Sequence, residues 1–321
     1  MYNLRVVTDL DECRELWRRA IPHEFVSDLW EVRAAFHEQF GRPVCFVVAE
    51  DAEGLCAMLP LSWIEESQCY GYFPGETWQG KTWLEQNRIF ARDADVLQFL
   101  LRRCPSRYHV RYLLPCDSLI CDESDVDEIG YLFLPPHYDY DIENYFQEFS
   151  RKSAKRIKRE VAAIEDRGVR YRLDDPSDFE HMVRLNVDRF GEYSYFHDAR
   201  FTEGFRSLMH VLEERGWLRM TSILIEGELA VVDMGCMYEG VYTLLGGGTH
   251  RGYPGVAKLI NLYHMRRACE ERMARVDFLC GDFAWKTLFH LTPRPLYVLS
   301  DAPVESVRHD ALPVRSEAHA G

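Results

Sequence analysis

The same order of predicted elements occurs twice in this chain, and the repeat constrains the fold more than any other feature. The order is a strand, two helices, an antiparallel hairpin, a helix and a strand. In the first half the elements are predicted at residues 4–7, 11–20, 30–40, 44–49 with 55–63, 95–103 and 108–114. In the second half they are predicted at residues 169–172, 176–190, 202–215, 218–225 with 229–238, 256–272 and 275–279, with an extra strand at 241–246. We infer a tandem duplication of one α/β unit.

The duplication divides the chain into two layered α/β domains with mixed, mostly antiparallel sheets. We expect a first domain over residues 1–140, a linking helix over 141–168, a second domain over 169–310 and a flexible tail over 311–321. The linking helix should begin near Asp141 and run without a break. It contains six Lys or Arg residues within the nine positions from Arg151 to Arg159.

Composition excludes several classes of protein. The net charge is −14, which disfavours an extended nucleic-acid surface. The ten cysteines are scattered without a C-x-x-C pair, so we expect reduced thiols and no structural metal site. Apolar runs stay well below the roughly 18 residues of a membrane span. We therefore expect a cytoplasmic location and no membrane span, while the oligomeric state is left undetermined.

A glycine-rich junction follows the predicted strand at 241–246. Gly246, Gly247 and Gly248 precede the run Thr249–Gly255, after which an apolar-periodic helix begins at Val256. A strand that ends in glycines and turns into a helix presents backbone N–H groups and the positive end of the helix dipole to an anion. The alternative is that the glycines only turn the chain. The pattern is neither a Walker loop nor the dinucleotide fingerprint.

Several segments between Arg151 and Lys286 resemble the CelD-like acetyltransferase family. This is a group of the GNAT superfamily that is related to FemAB-type ligases and often linked to cellulose or exopolysaccharide synthesis. The resemblance is carried by the basic helix 152–159, Arg189-Phe190, the hairpin 225–230, Pro254-Gly255 and the string 277–286, Asp-Phe-Leu-Cys-Gly-Asp-Phe-Ala-Trp-Lys. The first half agrees only in its pattern of elements.

The resemblance implies two tandem GNAT-like domains, the first degenerate, and a CoA thioester bound by the second. Acetyl-CoA or another acyl-CoA would be the co-substrate, without a metal. Its pyrophosphate would lie on the loop from Gly252 to Lys258. The implied donor-binding residues are Leu245, Gly246, Arg251, Gly252, Gly255, Val256, Ala257 and Lys258. The loop departs from the usual pattern, because Gly252 stands where Arg or Gln is expected and Pro254 lacks an N–H donor.

Four residues are candidates for catalysis. Asp282 and Lys286 are four residues apart and would share a helix face, with Lys286 stabilising an oxyanion or a substrate carboxylate. The alternative is an ordinary surface pair. Asp233 lies in an apolar strand and is a candidate general base if it faces a cavity, or a solvated residue if it lies at a sheet edge. Tyr242 is a candidate proton donor to the leaving thiolate, or a packing residue.

Aromatic and polar residues predict the acceptor site. The glycine- and aromatic-rich segment 70–83 contains Trp78 and is followed by Asn87, which together suit a sugar or peptide acceptor or a loop packed between the lobes. Arg189 and Trp285 are the further substrate-binding candidates in the segments that resemble the family. The basic helix would hold the 3′-phosphate of CoA, an anionic glycan or a tRNA, or it is simply a solvated helix face.

The sequence therefore predicts an acyltransferase. It would move an acyl or acetyl group from a CoA thioester to an amine or hydroxyl of a small-molecule, sugar or peptide acceptor held between the two lobes. Two alternatives are a FemAB-like aminoacyltransferase that uses charged tRNA and a non-catalytic binding protein with a degenerate GNAT fold.

Overall fold

The computed structural model describes residues 2–119, 122–281 and 284–301 of the chain. The helices are α1 (Leu10–Ala20), α2 (Trp30–Phe40), α3 (Ala94–Leu101), α4 (Ile142–Tyr145), α5 (Arg151–Glu165), α6 (Asp178–Phe190), α7 (Ala199–Glu214), α8 (Val256–Glu270) and α9 (Ala284–Leu288). The strands of the first half are β1 (Asn3–Val7), β2 (Val44–Asp51), β3 (Gly54–Ile64), β4 (Cys69–Tyr72), β5 (Thr77–Trp78), β6 (Lys81–Thr82), β7 (Phe90–Ala91), β8 (His109–Leu113) and β9 (Val126–Phe133). Those of the second half are β10 (Arg170–Leu173), β11 (Leu218–Ile225), β12 (Glu228–Tyr238), β13 (Val241–Thr249), β14 (Arg275–Asp277) and β15 (Thr292–Ser300).

The two halves repeat one another in both element order and strand pairing. In the first half β1, β2, β3 and β4 pair consecutively and antiparallel, and in the second half β10, β11, β12 and β13 do the same. A parallel neighbour then follows a helix in each half: Tyr108, immediately before β8, forms a parallel bridge to Tyr70 of β4, and β14 pairs in parallel with β13. This repeat is the one that the sequence pattern predicts. The sheets are mixed and mostly antiparallel, as expected.

The last strand of each half pairs with the other half. β9 of the first half pairs antiparallel with β14 of the second, while β15 of the second half pairs antiparallel with β8 of the first. β9 and β15 also pair with each other, which gives the strand order β10-β11-β12-β13-β14-β9-β15-β8. The second sheet therefore crosses the boundary that we expected at residue 140.

The helix expected from Asp141 is interrupted. The short helix α4 ends at Tyr145 and is followed by a 3₁₀ turn over Phe146–Glu148. α5 begins at Arg151 after the N-cap residue Ser150. The Ser150 hydroxyl accepts the amide N–H of Ser153 at 3.2 Å, which satisfies one of the free donors at a helix start. The interruption lets Tyr145, Phe146 and Phe149 pack into the core while the basic residues of α5 stay at the surface.

The equivalent helices α2 and α7 pack against each other between the halves. The ring of Phe36 on α2 lies edge-on to Phe205 of α7 at 5.5 Å, and Phe40 lies edge-on to Phe201 at 5.0 Å. Gly204 allows this close approach, because a Cβ there would come within 2.7 Å of the Phe36 ring. The two halves are thus joined by both a shared sheet and an aromatic helix interface.

The glycines Gly246–Gly248 lie within β13 and do not form a loop, contrary to the expectation. They pair with Met234, Asp233 and Val232 of β12. A Cβ at Gly248 would overlap the carbonyl oxygen of Met182 and lie 2.8 Å from the Leu185 Cβ, so glycine at this position lets α6 pack directly on the strand. The glycines serve packing, and the turn that leads into α8 begins only after Thr249.

Substituting Gly248 by alanine is expected to lower the free energy of unfolding by about 1–3 kcal/mol, because the added methyl group meets backbone atoms of α6 that cannot move aside cheaply. Urea denaturation of both proteins measures the difference. Gly252→Ala is the matched control, since its Cβ meets only the movable ring of His250. Equal losses for both variants would contradict the packing explanation.

Candidate functional site

The strands β13 and β14 diverge and leave a notch in the second sheet. Their parallel pairing covers Val241 to Thr243 on β13 and ends at Asp277 on β14. Just beyond this point the register of β12 and β13 shifts, so that Leu244 faces Gly235 and Gly246 faces Met234 while Leu245 bulges out of the pairing. The edge of β13 at Leu245 is therefore not paired with β14.

A segment from the first half lies in this notch. The indole N–H of Trp83 donates to the Leu245 carbonyl oxygen at 3.1 Å, and the Gln86 side chain donates to Asp277 at 2.7 Å. Glu85 lies between them and accepts the amide N–H of Cys280 at 2.8 Å. A small cavity remains, lined by Trp83, Glu85 and Gln86 together with Thr243, Leu245 and Leu279. The site is thus built from both halves of the chain.

Lys286 is buried beside the notch and does not lie at the surface. It is 2% exposed, and its ammonium donates to the carbonyl oxygens of Phe278, Leu279 and Cys280 at 2.9, 2.9 and 2.6 Å. Burial lowers the pKa of Lys286, while the neighbouring Glu85 opposes this shift. These bonds hold the turn after β14 in place and direct the ammonium to the backbone. Asp282, its expected partner, lies outside the described residues.

Asp233 and Tyr242 meet through a residue that the sequence analysis did not single out. His264 of α8 lies 3.0 Å from the Asp233 carboxylate and 3.4 Å from the Tyr242 hydroxyl through the same Nε2 atom. All three side chains are buried, and burial raises the pKa of Tyr242 well above its ordinary value. β12 lies between β11 and β13, so Asp233 is not a solvated residue at a sheet edge. A buried Tyr–His–Asp cluster stabilises the contact between sheet and α8.

The loop before α8 has the geometry expected for the start of a helix. Gly255 is the N-cap residue with φ +86°, a conformation that favours glycine. The amides of Val256 and Lys258 donate to the Tyr253 and Gly255 carbonyl oxygens at 3.3 and 2.9 Å, and Val256 is buried in the core. Gly252 and Ala257 are exposed.

Two cations lie beside this loop. Arg251 is exposed, and its guanidinium donates to the Arg189 carbonyl oxygen at 2.9 Å. Lys258 forms an ion pair with Glu160 of the basic helix α5. Arg189 itself is exposed and lies at this junction, not in the cleft between the halves. Cations and exposed first-turn positions therefore occur together at the start of α8.

The other predicted substrate-binding residues, Trp78, Asn87 and Trp285, lie in different surroundings. Trp78 is half-buried and stacks on His197 at 5.7 Å, close to Lys81. Asn87 is buried, and its amide accepts from Arg33 and donates to the Arg111 carbonyl oxygen, both at 2.8 Å. Asn87 nevertheless lines a cleft of the first half together with Glu76, His109 and Arg111. Trp285 packs edge-on against Phe278 and Phe289.

Comparisons with known proteins agree with this architecture. Residues 151–287 match the model of an acetyltransferase (GNAT) domain. Over the whole chain the structure is similar to the L-PGS protein of Bacillus licheniformis, with 8% identity, coverage of 93% of this chain and 94% of that one, and a TM-score of 0.58. FemX gives 8% identity, 94% and 98% coverage and a TM-score of 0.56. A conserved protein of unknown function from Bacteroides thetaiotaomicron gives 11% identity, coverage of 94% of this chain and 99% of that one, and a TM-score of 0.57.

These matches confirm the predicted fold class. The chain has a mixed α/β fold with antiparallel-rich sheets and GNAT-like neighbours. At such low identities the structural likeness concerns the fold alone. No curated protein matches the chain by sequence.

Two absences concern only the part of the chain that the structure describes. Across residues 2–119, 122–281 and 284–301, no cluster of His, Cys, Asp and Glu side chains is arranged to hold a metal ion. Within the same ranges, no helix has the length and apolar character needed to cross a membrane.

Glu85 and His264 were not singled out by sequence reasoning. Trp83 belongs to the segment 70–83, which was predicted as an acceptor platform or a loop packed between the lobes, whereas Glu85 follows that segment and His264 lies inside an apolar helix. The aromatic and amide content of the segment was noted, but nothing local indicates which part of the second half it contacts. Their roles depend on contacts between residues far apart in sequence.

Proposed function

We propose that this protein is an acyltransferase that moves an acyl group from a CoA thioester to an amine or hydroxyl acceptor. The observation that carries the proposal is the notch between β13 and β14, which opens within the segment matching the GNAT model. An extended ligand can pair with an exposed strand edge through its amide groups. The CoA arm contains such amides, and the Leu245 carbonyl oxygen is a suitable acceptor for one of them.

The start of α8 is the proposed site for the pyrophosphate of the donor. The exposed positions Gly252 and Ala257, the helix dipole and the neighbouring cations Arg251 and Lys258 all favour an anion there. Leu245, Gly246 and Gly255 would border the donor, while Val256 fixes the helix in the core. In this arrangement an amide N–H of the CoA arm would replace the indole N–H of Trp83 as the donor to the Leu245 carbonyl oxygen, and the thioester would lie in the notch.

The acceptor is proposed to approach through the first-half cleft that contains Asn87, with Trp78 near its edge. Lys286 is proposed as a positioning residue for the turn after β14. Asp233 and Tyr242 are proposed to hold β13 against α8. The acceptor remains a small-molecule, sugar or peptide amine or hydroxyl, and the CelD-like assignment remains part of this proposal.

A binding experiment tests the donor. Thermal shift and calorimetry with acetyl-CoA, longer acyl-CoAs and free CoA should show stabilisation that grows with ligand concentration, by about 2.7 kcal/mol at 100 times the dissociation constant. The absence of a shift with every CoA species, in a folded protein, would contradict the proposal.

A second candidate function is suggested by α5. Lys152, Lys155, Arg156 and Arg159 are all exposed on this helix, which would suit the polyanion of a charged tRNA in a FemAB-like aminoacyltransferase. Binding of aminoacyl-tRNA with a strong salt dependence, together with no response to CoA, would favour this alternative. A lack of binding to either donor would favour the non-catalytic binding protein.

A further inference from the structure

The carboxyl group of Glu85 belongs to the first half but lies in the notch of the second. It lines the same small cavity as Thr243, Leu245 and Leu279, and the cavity has room for a water-sized molecule. One carboxylate oxygen accepts the amide N–H of Cys280 at 2.8 Å. Two residues earlier in the chain, Trp83 contacts the bulged Leu245 carbonyl oxygen. A proton acceptor therefore lies beside the proposed position of the thioester.

Titratable groups face Glu85 from several elements. They are Lys286 of α9, Cys280 after β14, Asp277 of β14, Tyr112 of β8 and Tyr195 before α7, and Glu128 of β9 faces the same Lys286 and Cys280. Burial raises the pKa of Glu85 to about 7, the hydrogen bond from Cys280 and the charge of Lys286 oppose the rise, and Asp277 adds to it. A carboxyl group with this pKa changes protonation near neutral pH, which is the range in which a general base works best.

We propose that Glu85 is the general base of the acyl transfer, taking a proton from the acceptor nucleophile within the notch. The inference rests on the proposed function. Asp233 is less suited to this role, because it is buried in the sheet and bonded to His264, whereas Glu85 lines a cavity. The base thus comes from one half of the chain and the donor site from the other.

For an ammonium acceptor, Glu85 takes one proton, and the resulting amine nitrogen attacks the thioester carbonyl carbon. A C–N bond forms, the C–S bond breaks, and the second nitrogen proton passes to the departing thiolate to give free CoA. Glu85 then releases its proton to solvent. For water as acceptor, Glu85 takes one proton of the attacking molecule, a C–O bond forms and the C–S bond breaks, and Glu85 then gives its proton to the departing thiolate, so the products are the free acid and CoA.

Water is the acceptor in the test, since it fits the cavity and requires no knowledge of the natural acceptor. Full-length protein is incubated with acetyl-CoA, and the release of free thiol is measured from about pH 5 to about pH 9. In wild type the rate should rise through a limb centred near 7 and then level off. In Glu85→Gln the rate should fall about 100-fold and the limb should disappear, with unchanged acetyl-CoA affinity by calorimetry.

Two further variants control the experiment. Glu38→Gln removes an exposed carboxylate of α2 and should keep the wild-type rate and pH profile. Glu85→Asp keeps the carboxylate but shortens the side chain, so it should retain a pH limb at a reduced rate. If Glu85→Gln does not fold, the rate and pH profile of Glu85→Asp test the role of Glu85 instead.

The outcomes separate the two proposals. A folded Glu85→Gln protein with the wild-type rate and pH limb overturns the role of Glu85. A wild-type protein that binds acetyl-CoA but releases no thiol above the buffer rate also overturns it. A wild-type protein that does not bind acetyl-CoA contradicts the proposed function itself, and the base role with it.

Discussion

Replacing Lys286 by methionine is expected to lower the free energy of unfolding by about 3–5 kcal/mol. Methionine fills a similar volume but cannot donate a hydrogen bond. The carbonyl oxygens of Phe278, Leu279 and Cys280, which accept from the Lys286 ammonium in the wild type, would then be buried without this donor. Urea denaturation, followed by circular dichroism, measures the change. The turn after β14 should also become less protected in amide hydrogen exchange.

Lys258→Met is the matched control for this variant. Lys258 forms a partly exposed ion pair with Glu160, so its loss should change the free energy of unfolding by no more than about 1 kcal/mol. A Lys286→Met protein that is as stable as wild type but transfers acyl groups far more slowly would favour the oxyanion role that the sequence suggested.

Placing a glutamate at Ala257 is expected to weaken the binding of acetyl-CoA about 1000-fold, equivalent to about 4 kcal/mol. Ala257 is exposed in the first turn of α8, where the added carboxylate would face the pyrophosphate of the donor. The substitution should not unfold the protein, because an acidic residue near a helix N-terminus is favourable. Calorimetry with acetyl-CoA measures the loss.

The variant Ala257→Gln distinguishes the effect of the added negative charge on acetyl-CoA affinity from the effect of the added side-chain volume. It adds a side chain of nearly the same shape without the negative charge, so its effect on affinity should be much smaller. If both variants bind acetyl-CoA as wild type does, the pyrophosphate lies elsewhere and the assignment of Arg251 and Lys258 to the donor site is wrong.

Local chemistry made the element boundaries predictable. α2 was expected over residues 30–40 and is found at Trp30–Phe40, where Gly41 in the left-handed conformation ends it. α1 begins after Asp9, whose side chain accepts the Glu12 amide N–H at 2.9 Å. Such signals act over a few residues, so a single sequence is enough to place them.

The contacts of the functional side chains were less predictable than the element boundaries, because they join residues that are far apart in the chain. The segment 277–286 indicated a site near Lys286, and the structure brings this residue close to the notch. Its ammonium, however, is directed to three backbone carbonyls, which no spacing in the sequence could indicate. Likewise Asp233 was a candidate base that either faced a cavity or lay solvated at a sheet edge, and the structure buries it against His264, which lies on a helix 31 positions further along the chain.

The sequence by itself determined the repeated α/β unit, the antiparallel hairpins and the segment that resembles GNAT proteins, because hydrophobic periodicity and capping residues act locally. Only the tertiary structure decided that β9 and β15 pair across the halves, that Trp83 and Glu85 enter the notch of the second half, and that Gly246–Gly248 serve helix packing. The physical reason is that an alternating strand shows which face is buried but not which distant strand pairs with it. Contacts across the notch depend on that pairing.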